Sequence, residues 1–232
     1  MSSVADPRPT HSTSKTASRQ SAPGLTQSVQ MRLGDREFRR RLWHITPGLL
    51  PFILWAIPHK DPISPTLVTI VLLVTAALSI RIFVQYRLIR RSKEESRAGA
   101  VLGYALPVLA TMLAFPAHSE MAFTVLAILA FGDGSATLGG LLIGGRSLSW
   151  NSHKTISGSL CFLFFGSLMG AIIYWGEANP QVPFLGALQI AALAAFIAAV
   201  AESLPTRIND NIRVGISSSL GVIVGQFLVF GF

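Results

Sequence analysis

Apolar residues in this chain fall in long blocks, not in the alternation of half-buried strands or the narrow stripes of surface helices, and such blocks predict membrane helices. The first begins near Leu42 and is short, with Pro47 and Pro51 inside it. Membrane helices tolerate such kinks where neighbours satisfy the backbone. The second covers about Thr66 to Tyr86, with Arg81 close enough to its end to snorkel. The third covers about Gly99 to Phe115, interrupted by Pro107, and the fourth runs from about Met121 into a segment ending at Asp133. A fifth, about Leu160 to Trp175, precedes an Ala-rich sixth, about Phe184 to Val200, whose small residues favour close helix packing. The seventh runs from about Ile212 to Phe232. The expected fold class is all-α: a polytopic transmembrane helix bundle of about seven spans.

The polar residues between these blocks are distributed one-sidedly. Arg32, Arg36, Arg39, Arg40 and Arg41 form a basic, helical collar before the first span. Of 19 Lys and Arg, all but Lys60 lie in the N-terminal region or at every second connection between spans. That is the positive-inside pattern, and it places the N-terminus, the 87–97 connection, the Asp133–Ser159 stretch and the Glu202–Arg213 stretch on the cytosolic side. The opposite connections carry Lys60 and Asp61, which mark the far side, and His59, His118 and Glu120, which read as solvated surface.

Residues 1–30 are rich in Ser and Thr, contain Pro7, Pro9 and Pro23, and have Asp6 as their only acid. They read as a disordered cytosolic tail, although the same composition suits an organelle transit peptide. Residues 31–232 then form a single transmembrane catalytic domain. Composition agrees: 50% hydrophobic, 13% charged and a mean hydropathy of +0.52 define an integral, multi-pass membrane protein. Its membrane would be the plasma membrane of a bacterium, or the endoplasmic reticulum or plastid envelope of a eukaryote. A net charge of +8 would suggest nucleic acid in a soluble protein. Here no basic stripe interleaves with aromatics, so nucleic acid is not an expected partner. Cys161 is alone and permits no disulfide framework within the chain. Oligomeric state is not legible.

Chemistry concentrates in FGDGSATLGGLLIGGRSLSWNSHKTISGSL, Phe131 to Leu160. A carboxylate within a lipid-spanning block is costly and marks a functional candidate, which is Asp133. Gly132 and Gly134 beside it let backbone approach a ligand closely. Lys154, followed by Thr155, Ser157, Gly158 and Ser159, offers a cation, short hydroxyl donors and free backbone N–H groups, a set that suits phosphate. Phosphoryl or nucleotidyl transfer needs Mg²⁺ on phosphate oxygens, cations against the developing charge and little covalent help. Asp133 would hold the metal and Lys154 a phosphate. A second cluster, Glu202, Asn209, Asp210 and Asn211 with Arg207 and Arg213, adds hard oxygen ligands on the same face. No GxxxxGK[ST], HExxH or paired cysteines occur, which disfavours a P-loop nucleotidase or a zinc enzyme. On residue type alone, Asp133 as a helix cap and Lys154 as a topology anchor remain the plain alternatives, and His153 is an exposed loop histidine.

The GDGSATLGG segment, the KTISGS run and above all ESLPTRINDN resemble the membrane CTP-dependent lipid kinases. That family includes dolichol kinase, phytol and farnesol kinases and a CTP-using diacylglycerol kinase, and it is related to the phosphatidate cytidylyltransferases. The collar RRRLWHITPGLLPF is similar to the start of the family's first span, and the resemblance covers about residues 36 to 220. ESLP before the DN pair leans towards the phytol/farnesol branch. The resemblance implies CTP as phosphate donor and Mg²⁺ as cofactor. It implies nucleotide binding at Gly132, Gly134, Lys154, Thr155, Ser157, Gly158, Ser159 and Asn211, with Asp133, Lys154, Glu202 and Asp210 catalytic. Asp133 and Asp210 would carry the metal, and His44 and Arg40 would lie on the substrate side.

The implied function is transfer of the γ-phosphate of CTP to a long-chain lipid alcohol of phytol, farnesol or polyprenol type, or to diacylglycerol, at the cytosolic membrane face. The alternative is a phosphatidate cytidylyltransferase making CDP-diacylglycerol. A further alternative is an ion-coupled transporter using Asp133 and Glu202, which the absence of an internal repeat and the one-sided polar residues disfavour.

Overall fold

A computed structural model describes residues 34–55, 62–89 and 97–231. The tail 1–30, Arg32, His59, Lys60, Asp61 and residues 90–96 of the basic connection lie outside the described residues. Helix α1 spans Asp35–Ile45, a 3₁₀ turn Thr46–Leu49, and α2 Leu50–Leu54. Pro47 and Pro51 each sit in the first turn of their segment, where a missing N–H costs nothing, and the first apolar block runs as the end of α1, the 3₁₀ turn and α2. Then follow α3, Pro65–Ile89, and α4, Arg97–Ala114, which contains Pro107.

The next helix does not end at Asp133, as the sequence pattern suggests. α5, Ser119–Ala127, passes through a π-helical segment, Ile128–Gly132, directly into α6, Asp133–Leu142. The residues after Asp133 are small enough to continue as helix against a neighbour. Ser135 satisfies its hydroxyl on the carbonyls of Gly132 (2.9 Å) and Cys161 (3.0 Å). Gly144 and Gly145, both with positive φ, turn the chain out of α6.

The stretch expected as an open polar loop is in part a two-stranded antiparallel hairpin, β1 Ser147–Leu148 and β2 Asn151–Thr155. Three long helices follow: α7, Ile156–Glu177; α8, Phe184–Ser203; and α9, Asp210–Val229.

Ser119–Leu142, α7, α8 and α9 are long and apolar enough to cross a membrane, and Pro65–Arg81 and Val101–Ala114 are shorter apolar helices. Between helices in lipid, packing rather than the hydrophobic effect drives association, and small residues let backbones approach. The Ala-rich α8 does this on both sides. A Cβ built on Gly221 of α9 would lie 2.5 Å from the Ala194 Cα, so only glycine permits that crossing. On the other side Ala191 and Ala195 pack against Gly170 and Gly166 of α7. These contacts join one buried cluster containing Val125, Ile128, Phe162, Ile190 and Val222. A second cluster, with Leu54, Leu67, Val71, Met112 and Phe123, holds α2, α3 and α4 onto α5.

Helix α3 is peripheral: Leu73, Ile80 and Val84 are among its exposed residues, and Arg81 stacks over the Trp43 ring at 5.6 Å. At the end remote from Lys154, His118 is part-exposed as expected. Glu120, expected in solvent, is instead buried with Oε1 2.9 Å from His118 Nδ1. It opens a helix, where the dipole favours a carboxylate, and its place in the first turn draws it into the bundle.

Candidate functional site at one end of the bundle

Charged groups converge where α1, α6, β2 and the α8–α9 connection meet. His44, in the last turn of α1, places Nε2 2.8 Å from Asp133 Oδ2 and 3.2 Å from the Leu129 carbonyl. Both partners accept, so Nε2 carries the proton. The π-helical segment delivers this arrangement: it offsets the carbonyls around Leu129 just ahead of Asp133, and such segments recur at functional sites. Tyr104 of α4 fixes the histidine from the other side. Its hydroxyl donates to the His44 carbonyl (2.6 Å), and the two rings meet edge-on with centroids 5.1 Å apart. Tyr104 was not singled out in the sequence, although a phenol inside an apolar block must find a partner. Arg41, legible there only as part of the collar, is buried beside this group.

The second half of the site is a charge chain. Lys154 Nζ donates to Glu202 Oε1 and, at 3.0 Å, to Asp210 Oδ2. Arg213 Nη2 donates to Asp210 Oδ1, while its Nη1 serves the carbonyls of Ala201 (2.7 Å) and Leu204 (2.6 Å) at the end of α8. A cation there suits the helix C-terminus, and Asp210 in the first turn of α9 suits an N-terminus. Trp150 and Asn151 of the hairpin bond to Ser203, which carries Lys154 over to Glu202. Glu202 is almost wholly buried, so an opposing cation is required there. Burial works to lower the Lys154 pKa, but Glu202, Asp133 and Asp210 outweigh it and hold the ammonium above its ordinary value.

Asp133, Lys154, Asp210, Asn211, His44 and Arg40 all line one cavity of about 430 Å³. Glu202 does not line it and stands behind Lys154. The remaining expected residues do architectural duties. Thr155 caps α7, its hydroxyl accepting from Gly158 N at 3.1 Å. Ser157 donates to the Gly144 carbonyl, and Ser159 to the Thr155 carbonyl at 3.3 Å. Gly132 lies under the Phe162 ring, Gly134 against Ile45, and Gly158 against the Ala136 carbonyl. His153 is exposed.

Among the described residues no group of three or more His, Cys, Asp or Glu could enclose a metal ion. Asp133 and Asp210 both present carboxylates to the same cavity. Mg²⁺ is commonly held by one or two carboxylates and takes its other ligands from substrate phosphates and water.

The molecule is thus a bundle of apolar helices, membrane-like in length and composition, enclosing a cavity with one charged end. The chain is similar to proteins named phytol kinase and farnesol kinase. It is 29% identical over 195 residues to a protein named probable phytol kinase 1, chloroplastic, of Glycine max, covering 77% of this chain and 64% of that one. To phytol kinase 1, chloroplastic, of Arabidopsis thaliana it is 28% identical, covering 85% of this chain and 68% of the relative. To farnesol kinase, chloroplastic, of Arabidopsis thaliana it is 26% identical, covering 84% and 66%. The chain thus spans about two thirds of the length of these relatives. No family model and no solved structure matches it.

Proposed function

We propose that the protein is a membrane kinase transferring the γ-phosphate of CTP to a long-chain isoprenoid alcohol of the phytol or farnesol type. One observation carries this reading: a single cavity joins a charged end bearing Arg40, His44, Asp133, Lys154 and Asp210 to an apolar end bearing Val71, Leu109, Met112 and Phe123. A site for a soluble metabolite has no use for the second half, and a site for a lipid tail has no use for the first. The names of the relatives favour an alcohol as acceptor and a kinase over a cytidylyltransferase.

In this reading the acceptor hydroxyl lies at the junction of the two ends. Its oxygen attacks the γ-phosphorus, the bond to the β-phosphate oxygen breaks, and CDP leaves. Asp133, oriented by the Nε2–H of His44, takes the hydroxyl proton. Lys154, held in place by Glu202 and Asp210, meets the phosphate chain, with Asn211 and Arg40 beside it. Mg²⁺ held by Asp133 and Asp210 would supply charge neutralisation on the phosphates. Glu202 is then a positioning residue. The glycine-and-hydroxyl segment Gly132, Gly134, Thr155, Ser157, Gly158 and Ser159 builds the wall that sets Asp133 and Lys154 on the cavity. We further infer seven spans with the N-terminus and this site on the cytosolic side, because Arg40, Lys154, Arg207 and Arg213 belong to the same end of the bundle.

The test is a transfer assay in detergent with Mg²⁺, running γ-³²P-CTP and α-³²P-CTP in parallel against phytol, farnesol, dolichol, diacylglycerol and phosphatidate. Label reaching an alcohol only from the γ position is expected. Label from the α position with phosphatidate as acceptor would make the protein a cytidylyltransferase. Parallel reactions with ATP decide the nucleotide.

A further inference from the structure

The apolar end of the cavity has a floor, and its depth can be read from the helices. Met112 and Phe123 line the cavity and also belong to the packed cluster that closes off the bundle behind it. Both are almost wholly buried, so the wall is solid there. The chain directions agree. α4 rises from Tyr104, beside His44, to Met112, while α5 descends from Phe123 through the π-helical segment to Asp133. At 1.5 Å per residue those intervals are about 12 Å and about 15 Å. An extended carbon chain of that length holds roughly ten to twelve carbon–carbon bonds of about 1.5 Å each. This is the main chain of an alcohol of three isoprene units. A fourth unit would meet Met112 and Phe123.

We propose that this limb is a measuring pocket, in which Met112 and Phe123 set the length of the isoprenoid acceptor at about three isoprene units. The inference rests on the kinase reading. The third wall is α3, whose Thr75 faces the limb one turn from Val71, on a helix otherwise largely exposed. Thr75 therefore offers a place to shorten the limb with little disturbance to the core, while Phe123 offers a place to deepen it.

The experiment measures kcat/KM of the full chain in detergent for geraniol, farnesol and phytol, with two, three and four isoprene units. The proteins compared are the wild type, Phe123→Ala and Thr75→Phe. One ill-fitting methylene group in an apolar pocket changes kcat/KM by about 10- to 200-fold. The wild type should favour farnesol over phytol. Phe123→Ala should raise the phytol-to-farnesol ratio by about tenfold, and Thr75→Phe should lower the farnesol-to-geraniol ratio by a similar factor. If Phe123→Ala does not fold, Thr75→Phe alone decides. Alcohols phosphorylated with ratios that neither variant moves would overturn the measuring pocket and leave the kinase standing. No phosphorylation of any alcohol by any of the three proteins would overturn the kinase reading, and the pocket with it.

Discussion

His44 Nε2 stands 2.8 Å from Asp133 Oδ2, although 89 positions separate the two residues and each belongs to a different helix. The pair is held from outside by Tyr104, so its geometry depends on α1, α4 and α6 together. In the proposed mechanism Asp133 is the proton acceptor, and a group in that role contributes about 10²- to 10⁴-fold to rate. Asp133→Asn is expected to lower kcat at least 10²-fold without unfolding the protein. His44→Ala should cost less, and the double variant should be little worse than Asp133→Asn alone, because residues acting as a unit are non-additive. Additive losses would mean that the two act separately.

Lys154 and Glu202 make a different prediction, about stability. Removing one member of a buried ion pair strands the other charge at about 3–5 kcal/mol. Lys154 keeps some water contact, so the lower end applies. Lys154→Met should reduce the thermal midpoint in detergent, and Lys154→Met/Glu202→Leu should recover most of the loss, since two apolar groups leave no stranded charge. Neither protein should transfer phosphate. A double variant no more stable than the single would show that Glu202 has another partner of equal weight.

The same lysine fixes a pH dependence. Its pKa in the folded protein lies above the ordinary value of 10.5 because the surrounding carboxylates outweigh its burial. A folded pKa raised above the unfolded one gives stability that is fully present below the unfolded value and is lost as pH rises through the folded value. The thermal midpoint of the wild type should therefore show no loss from this group up to about pH 10 and then fall. Lys154→Met should lack that alkaline component. Midpoints of both proteins between about pH 8 and 11.5 provide the check.

Much of this arrangement is legible in sequence because the physics is local. Apolar blocks of membrane-crossing length, the small-residue face of α8 and the isolated carboxylates Asp133 and Glu202 each declare themselves without knowledge of neighbours. What sequence does not show is set by long-range partnership. The Ser135 hydroxyl meets the Cys161 carbonyl of a neighbouring helix, and Trp150 and Asn151 of the hairpin meet Ser203, pairings that only the fold brings together. Asp133 sits in a helix, not at the mouth of a loop, and that changes which residues it can meet. His44 gained its place from a family resemblance, while Tyr104 carried no motif and needed the fold.

Thr155 separates an architectural role from a ligand-binding one. Its hydroxyl accepts from Gly158 N at the start of α7, and loss of such a cap costs about 0.5–2 kcal/mol. Thr155→Ala should lower the thermal midpoint in detergent, and Thr155→Ser should restore it, because serine caps as well as threonine does. The KM for CTP should follow the same order, rising modestly in the alanine variant as Lys154, the preceding residue, loses its anchor, and returning with serine. A hydroxyl engaged chiefly with phosphate would behave otherwise. Thr155→Ala would then raise the KM for CTP sharply while leaving the thermal midpoint of the nucleotide-free protein unmoved. The two measurements on the same pair of variants distinguish a cap that orients the wall of the site from a donor that touches the nucleotide.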